Sequence, residues 1–161
     1  MNKQKKGQQT EYSNILLEEY KLYVEMADRI SNRRHQSNQF FIGFIVGLFA
    51  AVSFVLETGK FGDVDNSIVF ILVAILGLLL CFVWNINIRS YRQLNTGKFQ
   101  IIHELEEKLP FPLFRREWEI LGKGKDSKKY IQLTKIERFI PLILSFPYLI
   151  LLAYGVVKFF M

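Results

Sequence analysis

Long apolar blocks alternate with charged segments along this chain. Three runs, residues 40–56, 67–88 and 139–160, contain a single charged residue between them, Lys158. A helix needs about 20 apolar residues to cross a hydrocarbon core of about 30 Å, so these runs predict membrane helices. Pro141 and Pro147 lie inside the third run and predict a kink, so this segment either spans the membrane, tilts or re-enters.

The segments that flank the first two runs have helical spacing. Apolar residues recur every three or four positions from about Ser13 to Ile30, and again from Ile88 to Leu109. No proline separates either stripe from its neighbouring run, so we predict an all-α protein with two long antiparallel helices that extend from the membrane into the cytoplasm. The predicted divisions are a disordered basic tail 1–12, an amphipathic helix 13–39, transmembrane helix 40–56, external loop 57–66, transmembrane helix 67–88, cytoplasmic helical region 89–138 and third membrane segment 139–160.

Prolines and a capping pattern divide the region before the third run. Pro110 and Pro112 end the second long helix, and a short helix follows over 113–121. Residues 122–129 are rich in glycine and lysine and predict a flexible basic loop. Thr134 and Glu137 match a capping box that would open the third run.

The charges of the flanking segments predict the orientation of the chain. Residues 1–39 carry seven Lys and Arg against five Asp and Glu, and residues 89–138 carry twelve against seven. The segment 57–66 carries one basic residue against three acidic ones. Since Lys and Arg are retained on the cytoplasmic side, the amino terminus and 89–138 are predicted to be cytoplasmic in a bacterial inner membrane. This topology also explains the excess of Lys and Arg over Asp and Glu, so the excess does not indicate that the protein binds nucleic acid.

Small and polar residues within the runs are candidates for helix packing. Gly43, Gly47 and Ala51 repeat every four residues, a spacing that lets helix backbones approach closely. Trp84 is interpreted as an anchor at the membrane interface. The polar residues Ser53, Asn85 and Asn87 either bond between helices or line a wet passage.

Charged residues cluster beside the membrane on both long helices. They support three interpretations, namely contact with anionic lipid, ion pairs between subunits, or a charged vestibule, although the positive-inside rule alone also accounts for them. An example of an intersubunit pair is Asp28 with Arg92. The candidates are Asp28, Arg29, Arg33, Arg34, Arg92 and Lys98.

The sequence predicts neither catalysis nor a cofactor or metal. His35 and His103 have no companions at metal-ligand spacing, and no phosphate-binding loop or activated nucleophile is present. His103, with Glu104, Glu106 and Glu107, is interpreted as a solvated helix face. The single cysteine, Cys81, lies within the second run and predicts a buried apolar side chain.

Two blocks of the chain resemble a known family. Residues 19–34, followed by Asn38 and Phe40, and residues 90–99 resemble the signatures of the RipA family of octameric bacterial membrane proteins. Further matches are His103-Glu104, Leu109-Pro110, Glu117-Trp118 and the segment 134–137. The resemblance implies an octameric assembly in the inner membrane. The architecture is also similar, more loosely, to the two-helix SLATT membrane effectors, whose likeness implies pore formation.

Two functions are compatible with these patterns. A homo-oligomeric ring, octameric by the resemblance, would enclose a passage with a charged cytoplasmic vestibule. Alternatively, a non-conducting scaffold would organise lipids or recruit a cytoplasmic protein to residues 89–138. Expected partners are further copies of the chain and membrane lipids.

Overall fold

Helices are the regular elements of the fold, and residues 2–58 and 66–161 contain no strand. This computed structural model describes residues 2–58 and 66–161. The helices are α1 (Asn2–Thr58), α2 (Asn66–Glu106), α3 (Leu113–Ile120), α4 (Leu133–Glu137) and α5 (Ile140–Phe160), with a 3₁₀ turn over Gly122–Gly124. Three helical segments are long and apolar enough to cross a membrane: Gly7–Phe54, Asn66–Glu106 and Lys135–Phe160.

Helix α1 starts earlier than the sequence predicts. Residues 1–12 were expected to form a disordered tail, but α1 begins at Asn2. The segment contains no proline, and Gly7 costs an isolated helix position only about 1 kcal/mol relative to alanine, so nothing in it ends a helix. Most of the expected external loop, residues 59–65, lies outside the described residues, while Glu57, Thr58 and Asn66 belong to helices.

The end of α2 and the start of α3 follow from the two prolines. Beyond Glu106 the amides of Lys108 and Leu109 bond to carbonyls only three residues back, at 3.0 and 3.1 Å. This tightening satisfies carbonyls that a helix end leaves free. Pro112 occupies the N-cap of α3, which runs over Leu113–Ile120, one residue shorter than the predicted 113–121.

The third apolar run has a different start from the predicted one. A capping box at Thr134 and Glu137 was expected to open it, but these residues belong to the short helix α4. Helix α5 begins at Ile140 with Phe139 as its N-cap and no side-chain capping bond. Pro141 is accommodated in the first turn, where its missing N–H would have no helical partner.

The chain forms two compact units, and each contains part of α1 and part of α2. Unit 1 consists of Met1–Arg33 and Tyr91–Gln132, and unit 2 consists of Arg34–Ser90 and Leu133–Met161. The core of unit 1 is built on Tyr20, Ala27 and Ile102. The largest core cluster of unit 2 consists of Phe41, Ile45, Cys81, Trp84, Ile88 and Tyr148.

Candidate functional site

A layer of polar contacts joins α1 and α2 at one end of the spans in unit 2. The indole Nε1 of Trp84 donates to Asn38 Oδ1 at 2.9 Å, and the Ser37 hydroxyl donates to Asn87 Oδ1 at 3.1 Å. The Trp84 ring also stacks on Phe41, with centroids 5.7 Å apart and planes 8° apart. These bonds satisfy polar groups next to apolar spans, where an unpaired group would be costly.

Two further contacts connect this layer to the segment that precedes α5. The Asn85 side-chain amide donates to the carbonyl of Arg138 at 3.4 Å. Arg34 lies 3.6 Å from Glu137, and both side chains are about one-fifth exposed. This separation is an ion pair too long for a hydrogen bond, consistent with Glu137 Oε2 having no hydrogen-bond donor. The layer, defined as Arg34, Ser37, Asn38, Trp84, Asn85, Asn87 and Glu137, therefore draws on three segments of unit 2.

Trp84 has a different role from the predicted one. An interfacial anchor would present its ring to lipid headgroups, whereas the Trp84 side chain is only 1% exposed. Its stacking on Phe41 and its bond to Asn38 account for the burial. Trp84 is therefore a core residue of unit 2.

The small residues predicted to pack α1 do not approach another helix closely among the described residues. A Cβ atom added at Gly43 or Gly47 would meet no other atom within 4 Å, and Ala51 is exposed. Close approach occurs instead at Gly77 against the Tyr148 ring and at Gly155 against Ile71. The predicted stripe is therefore an open face of the described chain, and the glycines that sequence reasoning missed are those that fix the packing of α2 with α5.

Polar groups inside the spans are satisfied within the chain. The Ser53 hydroxyl donates to the carbonyl of Phe49 in its own helix at 3.0 Å. The Tyr148 hydroxyl donates to the carbonyl of Ile45 at 3.2 Å and its ring stacks on Phe49. The role of Tyr148 was not predicted from the sequence, since its hydrogen-bond partner lies 103 residues away.

A buried carboxylate organises unit 1. Glu106 Oε1 accepts from the amide of Phe114 at 2.7 Å and Oε2 accepts from the amide of Arg115 at 3.0 Å. The Tyr20 hydroxyl donates to Oε1 at 3.1 Å, and His103 Nδ1 lies 3.4 Å from Oε2. Because Pro112 offers no capping side chain, Glu106 supplies from α2 the acceptor that the first free amides of α3 require.

These contacts shift two pKa values in opposite directions. Burial raises the pKa of Glu106, but the bonds from the amides of Phe114 and Arg115, with those of His103 and Tyr20, outweigh it and lower the pKa overall. Burial, with the bond to Glu106 and its negative charge, raises the pKa of Tyr20 to about 12. At neutral pH the pair is therefore a neutral phenol that donates to a carboxylate.

This cluster corrects the prediction of a solvated acidic face. Glu104 and Glu107 are exposed as expected, but Glu106 is 1% exposed. The signal was present in the spacing, since Glu106 follows the fully buried Ile102 by one helical turn.

The charged residues predicted to line a vestibule have different environments. Arg29 forms an ion pair with Glu25 at 2.6 Å on the same helix, and the Lys98 ammonium lies 4.5 Å from the centroid of the Tyr23 ring. Asp28 accepts from the Asn32 amide at 3.4 Å. Arg33 and Arg92 are exposed, and among the described residues neither forms an ion pair, so no bond joins Arg92 to Asp28 within the chain.

Over residues 2–58 and 66–161, no three His, Cys, Asp or Glu side chains are grouped so that they could hold a metal ion.

Comparison with models of protein families shows to which family the chain belongs. The model of the octameric membrane protein family (8xMP) matches residues 17–157. The chain belongs to this family. The match confirms the sequence-based resemblance to octameric membrane proteins, and with the three apolar helices it supports a membrane oligomer. The narrower RipA name stays a prediction. No curated protein and no solved structure matches the chain.

Proposed function

We propose that this family member assembles as a homo-octameric ring in the bacterial inner membrane and encloses a gated passage for ions. The amino terminus and residues 89–138 would be cytoplasmic, as their excess of Lys and Arg favours. The family match supports eight subunits. The observation that carries the proposal is the pair of unpaired cations described next.

Arg33 and Arg92 give the proposed passage its entrance. Arg33 lies seven residues before the first apolar run and Arg92 four residues after the second. Both are exposed, and neither has an ion-pair partner among the described residues. Eightfold repetition in a ring would place sixteen such guanidinium groups at one level. A vestibule of one sign concentrates ions of the opposite sign, so the passage would favour anions.

The contacts between α1 and α2 support a hairpin as the building block. In unit 1, Tyr20 contacts Glu106 and Met26 contacts Lys98, while in unit 2, Ser37 contacts Asn87. Within unit 1 the partner number on α2 falls as the number on α1 rises, as in antiparallel helices. Two such helices would carry each subunit through the bilayer.

The lining of the proposed passage would be apolar. Ser53, Asn85 and Asn87 are bonded within the chain, so they offer few groups to a permeating ion. An apolar constriction blocks ions by dewetting and conducts when it widens. The resting ring would therefore be closed.

Anion flux through proteoliposomes tests the proposal. Purified octamers, verified by size, should pass anions in preference to cations under an applied potential, and Arg33→Glu should reduce or invert this preference in octamers of the same size. Arg116→Glu is the control, because Arg116 pairs with Glu119 at 3.2 Å on the exposed helix α3. Flux that Arg33→Glu leaves unchanged would refute the vestibule, and absence of flux at all potentials would refute the passage.

A non-conducting scaffold is the second candidate function. It is favoured by the internal satisfaction of the polar groups in the spans, which leaves no evident hydrophilic path. In this case the exposed side chains of α3 and the loop after it would recruit a cytoplasmic protein. Replacement of Lys125, Lys128 and Lys129 by serine would then abolish co-purification of that cytoplasmic protein with the octamer, while ion flux would be absent from the unmodified protein.

A further inference from the structure

Unit 1 has an exposed apolar strip along one side of its two long helices. On α1 the strip contains Ile15, Leu22 and Met26, which are 54%, 53% and 37% exposed. On α2 it contains Leu94 and Ile101, which are 50% and 37% exposed. Lys98 joins the two rows, because it contacts Met26 Sδ at 3.6 Å and lies one turn from both Leu94 and Ile101.

A groove lies between α1 and α3 in the same unit. Its volume is about 510 Å³, and its lining includes the apolar side chains of Val24, Leu113 and Phe114. Leu113 is 59% exposed. Asp28 is on the lining as well.

The strip and the groove occupy opposite sides of α1. Val24 and Asp28 each follow a strip residue, Leu22 and Met26, by two positions. Two residues correspond to about 200° around a helix of 3.6 residues per turn. The buried stripe of Tyr20 and Ala27 lies between them. A subunit with different apolar surfaces on opposite sides has the form required for a head-to-tail contact, which closes into a ring.

The unpaired charges of the two surfaces are complementary. Lys21 and Glu25 also line the groove, but each forms an ion pair within α1, with Glu18 at 2.9 Å and with Arg29 at 2.6 Å. Asp28 in the groove bonds only to the neutral Asn32 amide, and Lys98 on the strip has no carboxylate partner among the described residues. Lys98 lies at the level of Met26, which is two residues or about 3 Å along α1 from Asp28. If the axis of the ring runs nearly parallel to the helices, rotation about it leaves each residue at the same height. Lys98 of one subunit would therefore lie beside Asp28 of the next.

We propose that the apolar strip of one subunit packs into the α1–α3 groove of the next, with Lys98 of one copy facing Asp28 of the other. The inference rests on the proposed ring and assigns its intersubunit contact. It also accounts for the function of Glu106, which fixes the start of α3 and so holds one wall of the groove.

Disulfide crosslinking of the full chain in membranes tests the contact. In a Cys81→Ala background, Leu22→Cys combined with Leu113→Cys should give, on oxidation, a ladder of covalent species up to the octamer. Each single variant should remain monomeric under denaturing conditions, and a mixture of the two single variants should stop at the dimer. A ladder from Leu22→Cys alone would show a symmetric contact and overturn the proposal, as would no ladder from an intact octamer of the double variant.

Charge reversal tests the polar pair within this contact. Asp28→Lys and Lys98→Asp should each weaken octamer formation about fivefold or more per interface, and the combined variant should recover most of the loss. Lys128→Asp is the control, since Lys128 is exposed and belongs to neither the strip nor the lining of the groove. Additive losses in the combined variant would overturn the pairing.

These readouts separate the contact from the passage. A ladder without anion flux would leave the interface intact and refute the pore. Flux with an octamer that forms no ladder would support the pore and refute this interface.

Discussion

Among the single residues of unit 1, Glu106 combines burial with an ionised carboxylate. Its buried carboxylate accepts two backbone amides of α3 and the Tyr20 hydroxyl. A charged acceptor at a helix start satisfies free N–H groups and interacts favourably with the helix dipole. The connection between α2 and α3 therefore depends on one side chain.

Glu106→Gln should destabilise unit 1. The amide keeps the size of the side chain, but its NH₂ group would confront either the Phe114 or the Arg115 amide, which leaves a buried donor unpaired. The expected cost is about 1–3 kcal/mol of unfolding free energy. Faster hydrogen exchange at the amides of residues 113–116, measured by mass spectrometry in detergent, checks the effect.

The control and the pH dependence of this change follow from the environment of the carboxylate. Glu107→Gln should have little effect, because the ion pair of Glu107 with Arg115 is more than half exposed on both sides. Since the pKa of Glu106 is lowered in the folded state, its contribution is present above its ordinary value of 4.5 and is lost as the pH falls through the folded value. The difference between wild type and Glu106→Gln should therefore shrink below about pH 4.5. A constant difference down to lower pH would contradict the assigned role.

At the scale of helices, two glycines determine how α2 and α5 pack. A Cβ atom at Gly77 would lie 2.6 Å from Cζ of Tyr148, whose side chain is fully buried and bonded to Ile45. At Gly155 the added atom would lie 3.2 Å from the backbone of Ile71. Absence of a side chain at these positions is thus a condition for helix contact.

Gly77→Ala and Gly97→Ala should change stability in opposite directions. The first overpacks the Tyr148 site and should cost about 1–3 kcal/mol. The second adds a methyl group where nothing lies within 4 Å and should gain up to about 1 kcal/mol from helix propensity. Thermal unfolding of both variants in the same detergent measures the difference, and equal melting temperatures would contradict the packing described here.

The sequence predicted the helices better than the contacts between them. Long uncharged runs, prolines at 110 and 112 and regular apolar spacing are local signals, and α2, α3 and the three apolar helical segments follow them. Gly77 and Glu106 were missed because their roles depend on Tyr148 and on the amides of α3, which the spacing of a single helix does not reveal. Trp84 was misassigned for the same reason, since Phe41 and Asn38 bury it from another helix.

At the scale of the whole molecule, composition and motifs led to the correct class of protein. The resemblance to octameric membrane proteins is confirmed by the family match over residues 17–157. The apolar strip and the α1–α3 groove of unit 1 were not predicted from the sequence. The sequence identified Asp28 and Lys98 only as charged candidates. Asp28 lies in the groove and not on the strip because α3 packs beside α1 in the folded chain.

Membrane orientation is the property of the whole molecule that charge predicts most directly. Residues 57–66 carry three acidic residues and one basic residue, whereas 89–138 carry an excess of Lys and Arg. In a Cys81→Ala background, a membrane-impermeant maleimide should label Gly62→Cys in intact cells and Ser127→Cys only after permeabilisation. Met161→Cys should be labelled in intact cells, because α5 supplies 21 residues, or about 32 Å of helix, enough to cross the hydrocarbon core. Labelling of Met161→Cys only after permeabilisation would show instead that α5 re-enters on the cytoplasmic side. Labelling of Ser127→Cys in intact cells would invert the whole topology and, with it, place the arginine entrance on the outer face.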